Sequence, residues 1–98
     1  MNYRTNKDLT IVESQIRGFL KANEVKTDIS EYRIFGTTPT GGKIEIRADE
    51  GCAMAILENV STFTCTDLLR AIDENEVTNV TLSSNGKHSM NGFINWRV

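Results

Sequence analysis

The sequence predicts an α+β fold: a two-layer sandwich whose mostly antiparallel sheet carries both helices on one face, in the element order α-β-β-β-α-β-β. Three observations predict it. Apolar residues recur at helical spacing near the N-terminus and again around residue 65. In the remaining segments they alternate with polar residues, as in strands. The breaks between alternating segments are short and contain glycine, as hairpin links do. A chain of 98 residues, 39% of them hydrophobic, has apolar surface for one core, so one domain is expected over 1–98.

The first helix starts at one of two capping boxes, Thr5-Asn6-Lys7-Asp8 or Thr10-Ile11-Val12-Glu13. In each, a hydroxyl serves a free backbone N–H and the acid returns the bond. Leu9, Val12, Ile16, Phe19 and Leu20 fall on one stripe, and Ala22-Asn23 is the expected stop.

Two strands follow. Tyr32 and Ile34 alternate with Glu31, Arg33 and Phe35, and Ile44 and Ile46 alternate with Lys43, Glu45 and Arg47. Joined through Gly36–Gly42, they share a register that sets Ile34 against Ile44 and Tyr32 against Ile46. The same register sets Arg33 opposite Glu45 and Glu31 opposite Arg47. Cross-strand pairs of this kind fix register more than they add stability. Asp49-Glu50-Gly51 then reads as a three-residue hairpin loop with Gly third, leading into a strand from Cys52. That loop places Met54 and Ile56 on the apolar face and Leu57 on the other. A helix is the rival for residues 52–58, since Ala53, Met54, Ala55, Leu57 and Glu58 are helix formers; the shared register favours the strand.

Thr64-Cys65-Thr66-Asp67 is a third capping box, opening a helix to about Asn75 with Cys65, Leu68, Leu69 and Ile72 along its seam. The last hairpin turns at Ser84-Asn85-Gly86. A two-residue turn wastes its apolar residues against Ser89 and Asn91. A three-residue turn sets Val80 against Met90 and Val77 against Phe93, with Ile94, Trp96 and Val98 on Met90's face. Gly92 marks a bulge or bend.

Composition removes several chemistries. A net charge of -2 leaves no polybasic arm, and no apolar run reaches the ~20 residues of a membrane span. Residues 1–8 have no apolar core of the secretory kind, so a cytoplasmic location is expected, with Cys52 and Cys65 as reduced thiols rather than one disulfide. One histidine, His88, and no paired cysteine spacing give no zinc set, and no cofactor or metal is expected. Gly36-Thr37-Thr38-Pro39-Thr40-Gly41-Gly42-Lys43 is not a phosphate loop. Gly42 stands where the lysine belongs, and a strand rather than a helix follows. Asp49, Glu50, Asp73, Glu74 and Glu76 read as a solvated acidic edge. No catalytic set emerges, and the chain is not expected to be an enzyme.

The outer face of the sheet is the candidate site. The registers display Arg33, Phe35, Lys43, Glu45, Arg47, Leu57, Phe93 and Arg97 there, with Thr38 in the adjacent loop. Three explanations compete. One is an interface for a protein partner or a second copy, with aromatic anchors and arginines. Another is a stacking platform for single-stranded nucleic acid. The third is a scatter of exposed apolar residues, which needs no explanation.

Residues 1–75 resemble a double-stranded-RNA-binding domain in their order of helix, three strands and helix. That family opens its second helix with a run of lysines, where this chain has Thr64-Cys65-Thr66-Asp67-Leu68, so the phosphate contacts are missing. In size, mild acidity and an Asn- and Thr-rich surface, the chain also resembles small phage-encoded inhibitors such as anti-CRISPR proteins. The resemblance implies a viral or phage inhibitor or regulator. The expected function is a small interaction protein that binds a macromolecule through the outer sheet face and the Gly36–Gly42 loop, with single-stranded nucleic-acid binding as the alternative.

Overall fold

The computed structural model describes residues 6–98. Helix α1 (Lys7–Ala22) is followed by strands β1 (Lys26–Ile29), β2 (Arg33–Thr37), β3 (Lys43–Asp49) and β4 (Cys52–Ser61). Then come helix α2 (Thr62–Ala71), a 3-10 turn (Glu74–Glu76), and strands β5 (Val77–Ser84) and β6 (Ser89–Arg97). The strands form one antiparallel sheet in the order β1-β2-β3-β4-β6-β5. The helices pack on each other and on one face of the sheet, α1 over β2–β4 and α2 over β4 and β6. This is the expected α+β sandwich with one more strand than the sequence suggested.

The helix layer is built from the predicted stripe. Leu9, Val12, Ile16 and Phe19 are buried on α1, and Cys65 and Leu68 on α2. They close over Ile34, Ile44, Ile46, Ala53, Ala55, Leu57, Ile94 and Trp96 on the sheet. Small alanines at the centre let α1 approach β3 and β4 closely, while Trp96 fills the space beside them. Its indole N–H donates to Gln15 Oε1 at 3.2 Å, so the buried ring keeps a partner for its polar atom.

Asn6 caps α1. Its side-chain oxygen accepts from the backbone N–H of Asp8, and its amide donates to Ala48 O at 2.6 Å. Thr5, the hydroxyl of the first predicted box, lies outside the described residues. Thr10 is not a cap: it lies inside the helix and donates to Asn6 O.

Four local expectations are corrected. First, Ile34 pairs with Ile46 and Arg33 with Arg47, a shift of two residues. The cause is the closed loop after β2. Thr38 N–H donates to Gly42 O, and Thr38 Oγ1 accepts from Gly42 N–H, so Thr37 pairs with Lys43. Tyr32 falls outside the ladder and is exposed. Second, Asp49 pairs with Cys52, so the next turn has two residues rather than three. Glu50 and Gly51 have φ of 53° and 79°, the left-handed pair of a type I′ turn, which matches the twist of the flanking strands. Losing one loop residue reverses the parity of β4. Ala53, Ala55 and Leu57 face the helices, and Met54 and Ile56 face outward.

Third, α2 is capped by Ser61, whose hydroxyl accepts from Thr64 N–H, and ends at Ala71 rather than near Asn75. Fourth, the last hairpin pairs Ser84 with Met90 and Val80 with Ile94, a shift of four that preserves parity from Asn79 onward. Before it, an irregularity sets Val77 against Trp96 rather than Phe93, and so turns Val77 to the helix side. At Gly92, φ is 149°, and a Cβ there would lie 1.9 Å from Thr81 O. Only glycine lets β5 cross at that point. The irregularity expected at Gly92 is real: the β4–β6 register shifts beside it, between Leu57 and Val60.

Candidate functional site

Both helices cover one face of the sheet, and among the described residues nothing covers the other. Its side chains follow from the registers. The central row runs across all six strands, from edge to edge: Asp28, Phe35, Glu45, Ile56, Phe93 and Thr81. A parallel row holds Arg33, Arg47, Met54 and Asn95. A third joins Asp49, Cys52 and Arg97. Phe35, Ile56 and Phe93 are 37%, 38% and 36% exposed. At a strand spacing of about 4.8 Å, the two aromatic rings stand roughly 14 Å apart with Ile56 between them.

The charges around this row are balanced. Glu45, on the strand between Phe35 and Ile56, takes an ion pair from Arg47 and a longer one, 3.8 Å, from Arg33. Arg97 lies 3.7 Å from Glu76, beyond the sheet end. Lys43 stands directly opposite Glu58 in the ladder. Lys26 and Asp28 share the outer side of β1. The acidic edge read from the sequence therefore serves in part as the counter-charge of this face.

Of the expected site residues, Arg33, Phe35, Lys43, Arg47, Phe93 and Arg97 share the bare face. Leu57 does not: it is 2% exposed and packs under the helices, because the two-residue turn reverses β4. Its place on the outer face is taken by Ile56, with Met54 beside it. Thr38 is also buried and is spent on closing its own loop, so the loop tip is Pro39-Thr40-Gly41. The sequence signal for Ile56 is weak: Gly51 suits the second position of a type I′ turn, but Glu50 is not one of the residues that favour the first. Away from this face, Phe63 at the start of α2 is 70% exposed on the helix layer, and Tyr32, just before β2, is exposed as well.

The two thiols differ. Cys52 is exposed on the outer face, and Cys65 is buried under α2, where burial pushes its thiol up from the ordinary value and a backbone hydrogen bond offsets part of the rise. A neutral, buried thiol is a core residue rather than a nucleophile. Among the described residues, no three His, Cys, Asp or Glu side chains group as metal ligands, and no helix is long and apolar enough to cross a membrane.

No protein-family model, no curated protein and no solved structure matches the chain. The helix–three strands–helix order that suggested an RNA-binding domain is also interrupted, since four strands separate α1 from α2.

Proposed function

We propose that the protein is a non-enzymatic interaction protein, an inhibitor or regulator, that docks a protein partner on the outer face of its sheet. The observation that carries this reading is the cross-strand row of Phe35, Ile56 and Phe93 on a bare face. An apolar centre of rigid side chains rimmed by arginines is the composition enriched at protein interfaces. The charge pattern favours protein over nucleic acid as the partner. A single-strand platform needs an unbalanced positive track for the phosphates. Here Glu45, Glu58 and Glu76 oppose the cations. Cytoplasmic action fits two free thiols, one of them on the docking face itself.

The test compares proteins retained from the native cell by the wild type and by an Ile56→Ser/Phe93→Ser variant, with Phe63→Ser as the control. The outer-face variant is expected to lose a protein that the control keeps, with the fold intact by circular dichroism. Retention of the same proteins by all three would refute the assignment of this face. A salt-sensitive nucleic acid recovered in place of a protein would replace the reading with the single-strand alternative.

A further inference from the structure

The two edges of the sheet are built differently. β1 is four residues long and carries Lys26 and Asp28. Short charged edges resist pairing with another strand. β5 is eight residues long, Val77-Thr78-Asn79-Val80-Thr81-Leu82-Ser83-Ser84, with no charge and no proline. Apart from the irregularity between Val77 and Asn79, it presents a regular edge.

Hydrogen bonding fixes which residues of that edge are free. Asn85 N–H donates to Ser89 O at 2.8 Å, which makes Asn85 and Ser89 a narrow pair at the start of the β5–β6 ladder. Narrow and wide pairs alternate along antiparallel strands. Ser83, Thr81 and Asn79 therefore direct their backbone groups to β6. Val80, Leu82 and Ser84 direct theirs away from the sheet, to where a seventh strand would lie. Val80 is 44% exposed on the helix side, beyond the cover of α2.

We infer that β5 pairs antiparallel with β5 of a second copy, making one continuous sheet across a two-fold axis at Thr81. The register follows from the free groups, since Val80 and Leu82 must meet each other's kind. Centring the axis on Thr81 sets Val80 against Leu82 of the second copy, and Leu82 against its Val80. Both apolar pairs lie on the helix side, next to the groove that Leu69, Ile72 and Val77 line. On the outer side, Thr81 meets Thr81 and Asn79 meets Ser83. Moving the axis to Val80 or to Leu82 sets an apolar residue against Thr78 or Ser84 instead. A strand that pairs with itself places every charge near its own copy or its neighbours', and β5 carries none. The axis stands perpendicular to the sheet, so the two bare faces lie on the same side. The dimer would present two rows of Phe35, Ile56 and Phe93 to one partner, with the avidity that two linked sites bring.

Sedimentation velocity across a concentration series tests this with the full chain. The wild type is expected to associate to a dimer. Thr81→Lys and Thr81→Glu each set like charges across the axis and should each weaken association by roughly tenfold. Thr81 is exposed, so neither change should disturb the fold, which circular dichroism checks. An equimolar mixture of the two variants should regain the dimer, because unlike charges then meet. A wild type that stays monomeric throughout overturns the inference. So does a dimer indifferent to Thr81→Lys, or a mixture no tighter than either variant alone.

Discussion

Ile56 and Leu57 are neighbours in β4 and nearly identical in chemistry, yet one is 38% exposed and the other 2%. The same contrast runs along the strand, with Ala53, Ala55 and Leu57 under the helices and Cys52, Met54 and Ile56 on the bare side. What separates the two sets is coverage by α1 and α2, not residue type. The covered side holds the fold together. The bare side contributes less to stability, and under the proposed function its apolar side chains serve association. Substitutions on the two sides should therefore separate stability from association.

The largest effect is expected from Leu57→Ala, which leaves a cavity under the helices and should cost about 3 kcal/mol in denaturant unfolding. Ile56→Ala, one position away, should cost no more than about 1 kcal/mol, because its side chain already meets water. Equal losses would erase the distinction between the two faces. Gly92→Ala tests the junction of β4, β5 and β6. A methyl group aimed at Thr81 O should cost roughly 3 kcal/mol and raise amide exchange in β5 above that in β3.

A smaller, pH-dependent effect belongs to Cys65. Its thiol is raised by burial, so the folded protein holds that proton more tightly than the unfolded chain. The stability from this preference is full below about pH 9, the ordinary thiol value, and is lost as pH rises through the higher folded value. The stability difference between wild type and Cys65→Ala should thus be flat near neutrality and change only above pH 9. Thiol labelling of the native protein should reach Cys52 alone. The smallest effect is expected for Arg47→Ala, within about 0.5 kcal/mol of the wild type in stability, since its ion pair with Glu45 is exposed.

The alternation of Ile34, Ile44 and Ile46 was enough to assign β2 and β3 to their faces, and Ile94 and Trp96 did the same for β6. Parity survived register errors of two and four residues because even shifts leave every side chain on its own face. In β4 the error was a single residue. Ala53, Met54, Ala55, Ile56 and Leu57 are apolar without interruption, so nothing in the strand reveals which set faces the core. Only the turn decides, and Glu50 in a left-handed conformation is unusual for a residue that is neither Gly nor Asn. β1 escaped notice because Lys26-Thr27-Asp28-Ile29 has one apolar residue and no alternation. Its strand character comes from pairing with β2. For the candidate site, six of the eight expected residues were legible by the same parity. Leu57 was misplaced by the turn, and Thr38 by a side-chain hydrogen bond that composition does not reveal.

Oxidative footprinting of side chains tests the central claim most directly, because the bare face carries the readily oxidised Met54 and Cys52 beside Phe35 and Phe93. The comparison is between the isolated protein and the complex purified from its native cell. Protection of Met54, Phe35 and Phe93 is expected in the complex, with Tyr32 and Phe63 as reactive as before. Protection confined to Phe63, with Met54 and Phe93 unchanged, would contradict that claim.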